Sequence, residues 1–595
     1  MKFFGFFNDK TVSGAYPADF VNYEGFYADA EPAILEEGQH RYILLGNVYT
    51  LPGYTQPNGD NEELLRAIRK LYESKGKTGL TAIDGEFTLI ISQESEVVIY
   101  RDFKGTGPQI FYNDGYFSND LGLFLKISGA HAIPDFKALS FFMMFGFIPP
   151  EKTGIEGIKR LKGGHLLHIT KGVPVAEQLQ DSVKPKIELN GSSSAQDYSH
   201  LYFDLHKEAI GKRIAGKSKI GLLLSGGYDS GGNLAGIRSF YEGDLTSYTI
   251  SFKDNPHSEL EFTRIMADEF NSELKHYEIN GSEIADLPQI VKQTGVPFQE
   301  SGLMINYLVM RSAAGDNPDI VLGGDGNDQL FGTANKELAM KWFSNVSGII
   351  LAQKIIKGLA GESEQNNLLR KINFYNRKID RVVYPDRWGF NANQLRYPTE
   401  EHKTIRIDPV FTSSYEKLYE NRRKNVDLTH TAFNIILFKA SQMAELFDIP
   451  LSFPYLSKPV FDFVDALPVK YKVKGSQKEL LQGKGVAKFI HKATYRDKMP
   501  KKITSRKKQG GFVPLSMFFN DDARNSDFFE LINSSKLLDE LLVDKTEIIQ
   551  TLKSNIKNQD VWFWYQQVYY SRLFNMLVLA IWEKIYLRNE VIEKI

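Results

Sequence analysis

The sequence has no cysteine in 595 residues, which excludes disulfides, thiolate metal sites and a cysteine nucleophile. It is also almost without net charge: 72 Lys and Arg against 73 Asp and Glu leave a formal charge of -1. Nucleic acid and anionic membrane surfaces therefore meet no global attraction, and any polyanion must be held locally. Long apolar runs are missing too. The apolar start Met1-Lys2-Phe3-Phe4-Gly5-Phe6-Phe7 meets Asn8-Asp9 at once, too short for the apolar region of a signal peptide. Met576 to Trp582 is apolar for only seven residues, where a bilayer span needs about 20. Both read as core segments, so no membrane partner is expected and the expected location is the cytoplasm. What is present is an apolar content of 42%, suited to a soluble globular protein long enough for two or more domains.

The most informative stretch runs from Lys219 to Leu234. The apolar run Ile220 to Leu224 reads as a buried strand that breaks into Ser225-Gly226-Gly227, small residues that let backbone N–H groups converge on a phosphate. The lysine and spacing of the common Gly-x-x-x-x-Gly-Lys-Ser/Thr loop are absent, so this is a different kind of nucleotide site. Asp229 supplies a carboxylate where a magnesium ion on bound phosphates needs one. A strand over Thr246 to Phe252 and a helix around Glu259 to Phe270 follow, and a third strand, Asp319 to Leu322, breaks into Gly323-Gly324-Asp325-Gly326-Asn327-Asp328-Gln329. Alternating strands and helices predict an α/β fold with a doubly wound parallel sheet whose ligands sit at the carboxyl ends of the strands. Taken singly, each acid of the second loop is as readily a turn former as a ligand. Two such loops at neighbouring strand ends favour a site.

Residues 1–190 read as strand-rich. A helix opens after Gly59-Asp60, capped by Asp60 with Glu63 reaching back, and Leu64, Leu65, Ile68, Leu71 and Tyr72 form its apolar face. Thr88 to Ile91 and Val97 to Tyr100 read as paired strands. Polar residues between Asp181 and His200 read as a linker, with a second domain over 198–595 that opens on a helix from about Leu201 to Arg213. Within it, residues from about 335 to 430 are either a substrate-selecting insertion or a solvated helical extension; Trp388 or Tyr397 could line a pocket there. An aromatic amphipathic helix is expected from Asp560 to Leu587.

Several motifs are similar to those of asparagine synthetases. Ser225-Gly226-Gly227-x-Asp229-Ser230 resembles the pyrophosphate loop of the ATP pyrophosphatases, which split ATP into AMP and pyrophosphate. Gly324-Asp325-Gly326-x-Asp328 before Leu330-Phe331-Gly332, and Pro500-x-x-Ile503-x-x-Arg506-x-Lys508 before Gly511-Phe512, match two further family loops. Asp84-Gly85-Glu86-Phe87, Arg101-Asp102 and Gly163-Gly164-His165 resemble the family's N-terminal glutaminase domain. The resemblance implies an Ntn-hydrolase-like αββα sandwich followed by the ATP-pyrophosphatase domain. It implies ATP held by Leu223, Ser225, Gly226, Gly227, Asp229, Ser230 and Gly324, with Ser251 and Phe252 at the adenine. It implies magnesium on Asp229 and Asp328, and Lys508, Arg506 and Asp325 at the reacting centre.

The departures carry as much information. The family's glutaminase nucleophile is a cysteine at position 2, where this sequence has Lys2, and a protonated amine with a pKa near ~10 has no free lone pair for attack. The family's oxyanion asparagine falls at Leu45, and no Arg-Gly-Pro-Asp-like glutamine-binding turn is found. Asp325 replaces a glutamate, Gln329 an acid, and Ser452 and Ser457 a charged pair. The expected activity is ATP-dependent amide formation through an acyl-adenylate, joining a small-molecule or peptide carboxylate to an amine or ammonia without glutamine hydrolysis. β-Lactam synthetases and lasso-peptide cyclases are similar branches. Ammonia-dependent asparagine synthesis and an inactive nucleotide-binding scaffold are the alternatives, and a protein or peptide partner at the N-terminal domain is possible.

Overall fold

The computed structural model describes residues 1–595 except 8–16, 18, 24, 55–59, 94–95, 180–193, 253–258, 334, 348–363, 381–387, 399–413 and 507–512. Up to Gln178 the chain builds two six-stranded sheets whose strand pairings, among the described residues, are antiparallel. Side-chain alternation along the Asp84–Gln93 strand explains why they stack. Ile90 points to one side, where it meets Phe3, Phe26, Ile43, Ile99 and Leu167 between the sheets. Phe87, Leu89 and Ile91 point to the other, against Leu65, Ile68 and Leu71 of the Asn61–Lys75 helix. The outer face of the second sheet, with Phe4, Tyr27 and Phe111, packs on the helices Leu121–Ser128 and Phe136–Phe145. Helix, sheet, sheet and helix thus follow one another as expected. The cap of Asn61–Lys75 closes through Asp60 on Glu62 N at 3.1 Å rather than through Glu63.

A five-stranded parallel sheet follows, in the order Glu273–Ile279, Leu245–Phe252, Ile220–Leu223, Ile320–Leu322, Leu451–Ser452. The chain enters in the middle and winds outward both ways, so the order reverses at Ile220–Leu223, where such sheets form a ligand crevice.

Two expectations change. The helix before that strand spans Ala195–Ile214, starting earlier because Ser194 and Asp197 form a reciprocal cap, a short-range signal hidden in a polar run. The aromatic helix, Phe563–Trp582, is buried on nearly all sides rather than amphipathic; its last residue is fully buried, and Trp582 Nε1 donates to Gly295 O at 2.9 Å. Among the described residues no helix is long and apolar enough to cross a membrane. The described parts of 335–430 include the helices Asn335–Ser347, Asn367–Asp380 and Tyr415–Arg422 and a wide-turn helix over Arg423–Ile436. Phe374 is buried there against Trp388 and Trp562, which is packing rather than solvation.

A buried ion cluster ties the two-sheet part to the parallel sheet. Arg213 donates to Asp84 at 3.1 Å and to Ser452 Oγ at 2.7 Å, Lys458 N donates to Asp84 at 3.1 Å, and Lys104 lies 3.3 Å from Glu86. Ser452, one of the two serines in place of a charged pair, thereby gains a role as a partner of Arg213.

Candidate active site

The first loop is shaped by sterics. Gly226 has φ +61°, and a Cβ there would meet Phe262 Cβ at 2.9 Å and Thr263 N at 3.1 Å, so only glycine fits the turn. Gly227 then opens the Tyr228–Arg238 helix with no side-chain cap, leaving its first N–H groups for a ligand. Ser230 is buried, and its Oγ accepts from Ser225 N at 3.0 Å and lies 3.1 Å from Ser225 Oγ. Ser230 therefore holds the loop's shape from below. Leu223 is half-buried at the end of the strand.

The second loop touches the first. A Cβ on Gly324 would lie 3.1 Å from Ser230 N and 3.3 Å from Asp229 Cβ, so the bare backbone at Gly324 permits the approach. Asn327 Nδ2 donates to Asp229 Oδ1 at 2.7 Å. Between the two acids stands a residue the sequence reading missed: Lys488 Nζ donates to Asp229 Oδ1 at 2.7 Å and Oδ2 at 2.6 Å, and lies 2.7 Å from Asp328 Oδ1. Lys488 is buried, in the left-handed region at φ +53°, at the start of the Phe489–Tyr495 helix. Burial alone would lower its pKa, but Asp229 and Asp328 outweigh burial and hold it above the ordinary lysine value.

Asp229 is braced from behind. Tyr455 Oη donates to its carbonyl at 2.9 Å, and His491 Nε2 lies 3.2 Å from its carboxylate. Tyr455 stacks on His206 at 4.0 Å, and His206 bonds to Asn233 Oδ1 at 3.0 Å. Burial holds both histidines below their ordinary pKa, which favours the neutral rings.

Two carboxylates from neighbouring strand ends converging on one cation suit Mg²⁺, which takes one or two protein carboxylates and completes its shell with phosphate and water. Among the described residues no group of three or more His, Cys, Asp or Glu could hold a metal alone. The donor set therefore fits a magnesium ion that arrives with phosphate.

Asp325 is half-buried beside these acids. Burial raises its pKa, Lys439 opposes, and Asp229, Glu300 and Asp328 raise it further. Glu300 responds differently: burial would raise it, but its ion pair with Lys439 and bonds from Ser301 Oγ and Gly302 N hold it down.

Arg506 stands beside the first loop. It donates to Glu259 at 2.7 Å and lies over the Phe262 ring at 4.3 Å, while its Nη1 is buried with no partner among the described residues. A neighbouring bond, Tyr228 Oη to Thr504 O at 3.1 Å, draws its segment to the loop. Lys508 lies outside the described residues. Ser251 is buried with its Oγ 2.7 Å from His276 Nε2, so its hydroxyl is committed to the adjacent strand. Phe252 is half-buried and packs on the core at its strand end. Among the aromatic candidates, Trp388 does line a cavity next to the acidic loop, whereas Tyr397 stacks on Phe136 at 4.9 Å.

The place of the family nucleophile looks different. Lys2 Nζ pairs with Asp120 at 2.5 Å and Lys2 N donates to Asp29 at 2.7 Å. Asp120 in turn caps the Leu121–Ser128 helix through Leu123 N at 2.8 Å. Leu45 is buried between the sheets.

Residues 203–584, well over half of the chain, match the family profile described as asparagine synthase, and residues 52–178 match that of a glutamine amidotransferase domain. Relatives include an asparagine synthetase (glutamine-hydrolyzing) of Bacillus subtilis, 23% identical over 87% of this chain and 82% of that one. A putative asparagine synthetase of Mycobacterium bovis is 22% identical over 78% of this chain and 69% of its own. Among solved structures, a glutamine phosphoribosylpyrophosphate amidotransferase of B. subtilis covers 50% of this chain and 64% of its own at 10% identity. Its TM-score is 0.17, too low to carry an argument. With two matching family profiles and an acidic crevice at the switch point of a parallel sheet, the chain belongs to the asparagine synthase family of ATP-dependent amide-forming ligases.

Proposed function

We propose that the protein activates a carboxylate as its acyl-adenylate and passes the acyl group to an amine, without hydrolysing glutamine. The observation that carries this reading is the convergence of Asp229, Asp328 and Lys488 at two adjoining strand ends. A carboxylate oxygen attacks the α-phosphorus of ATP, the bond to the β-phosphate oxygen breaks, and pyrophosphate leaves. The amine then attacks the acyl carbon, AMP departs, and the amine proton passes to a base. Asp325, its pKa raised and its carboxyl half-buried beside the crevice, suits that last role.

Lys488 and Arg506, whose Nη1 has no partner among the described residues, are the cations this reading assigns to the developing pyrophosphate charge. Lys508 is the expected further cation at the reacting centre. Magnesium, when bound, is held by Asp229 and Asp328 and neutralises part of the triphosphate charge.

The reading of the nitrogen source is supported by the other half of the chain. There is no cysteine in the sequence, and Lys2 is engaged in an ion pair that caps a helix. An amine carried by the substrate itself is favoured over free ammonia. The test is exchange of labelled pyrophosphate into ATP with a panel of carboxylates, followed by amide formation with or without added amine. If aspartate and ammonia alone gave asparagine at a useful rate, amine-dependent or intramolecular closure would be the wrong reading.

A further inference from the structure

Next to the acidic loop lies a cavity of about 400 Å³, reached by Glu300 and Gln329. Much of its wall is aromatic: Phe145, Phe147, Phe298, Trp388 and Trp564. Two of these belong to the N-terminal half, and their position is fixed by close backbone contact. Gln299 N donates to Gly146 O at 2.7 Å and Phe390 N donates to Met143 O at 2.9 Å. Gly146, at φ +85°, would strike Gln299 O at 2.4 Å with any Cβ, so the end of the Phe136–Phe145 helix is clamped into the wall.

The charged groups at the cavity already have partners. Glu300 pairs with Lys439, and Arg422 pairs with Asp427 at 3.0 Å. An aspartate substrate would bring its second carboxylate to a wall whose described lining residues offer no uncommitted cation, an expensive burial. One polar group does stand ready. Gln567 is 5% exposed, lines the cavity, and its Oε1 has no hydrogen-bond partner among the described residues. Such an orphan is met when a ligand supplies an N–H. The cavity is of the size that takes a drug-sized ligand, roughly 300–1,000 Å³, rather than a single small polar amino acid.

Resting on the adenylation reading, we infer that the activated carboxylate belongs to a molecule with a bulky aromatic or branched apolar body and an amide N–H, of acylated amino acid or short apolar peptide size. The N-terminal half then serves as one wall of the acceptor site.

The probe is N-acetyl-phenylalanine against aspartate, with the full-length protein, ATP and Mg²⁺, read as pyrophosphate exchange. N-acetyl-phenylalanine should be used at least about tenfold more efficiently. Gln567→Leu should raise its KM about tenfold, the worth of one hydrogen bond. Trp564→Ala, at a partly exposed position that tolerates truncation, should raise it by a similar factor, with the KM for ATP unchanged in both. A preference for aspartate, or a KM indifferent to both substitutions, overturns the inference and leaves adenylation standing. If no carboxylate supports exchange, adenylation itself fails. Calorimetric titration of N-acetyl-phenylalanine then decides the cavity: binding weakened by both substitutions upholds it, and absence of binding overturns it.

Discussion

Two places in this molecule correspond to the two sites that the family resemblance implies, and they are built differently. At the edge of the parallel sheet, glycines shape the loops, carboxylates face each other, and Lys488 joins them at 2.6 to 2.7 Å. In the two-sheet sandwich, Lys2 serves an ion pair and Leu45 the core between the sheets. Folds are held by many apolar positions, whereas a site depends on a few side chains, so one can outlive the other. The sandwich is bonded through Asp84 and Arg213 to the parallel sheet, and its helix end walls the cavity.

The largest expected effect lies at the acidic crevice of the parallel sheet. Asp229→Ala should lower pyrophosphate exchange by about 10²- to 10³-fold, the scale of a lost group that stabilises transition-state charge. Unfolding should change far less, because Lys488 keeps Asp328 as a partner; circular dichroism through a thermal ramp separates the two.

On the other side, effects should appear in stability. Arg213→Met leaves Asp84 and Glu86 buried with Lys104 as the remaining cation of the cluster, and should destabilise the protein by about 3–5 kcal/mol. Urea titration checks this, and pairing it with Asp84→Leu should recover much of the loss. A rescue-free loss of exchange at full stability would instead make the cluster part of the chemistry.

Legibility in the sequence followed the reach of each interaction. The nearness of Asp229 and Asp328 was readable because each follows its own strand by a few residues, and the two strands are neighbours in the sheet. Lys488 is 259 residues from Asp229, and Gln567 comes from a helix whose pattern shows only a core segment. Nothing local to either residue says what it will face. The parallel, doubly wound sheet was legible from the alternation of strands and helices, but its outer strands Glu273–Ile279 and Leu451–Ser452 were not. The early start at Ala195 was missed because the Ser194 and Asp197 cap sits in a run that also reads as linker.

A smaller effect concerns the entry to the central strand. Asp319 accepts from Ser218 N, Ser218 Oγ and Lys219 N at 2.8 to 2.9 Å, and these bonds depress its pKa from 3.8 to about 2. A depressed acid stabilises the fold above its unfolded value and loses that contribution as pH falls through the folded one. Stability should therefore drop between about pH 4 and pH 2 by about 1 kcal/mol, since solvent screens the group. Asp319→Asn should flatten that slope in denaturant titrations. The smallest effect belongs to Lys2→Ala: its half-exposed ion pair is worth less than about 1 kcal/mol, and exchange should be unchanged. A large loss of exchange there would tie the sandwich edge back to catalysis.

The most direct measurement follows the products by phosphorus NMR, with ATP, a carboxylate that supports exchange and its amine, in the presence and absence of glutamine. AMP and pyrophosphate should form in equal amounts at a rate that glutamine does not change. ADP with phosphate, or glutamate released from glutamine in step with AMP, would contradict adenylation without glutamine hydrolysis.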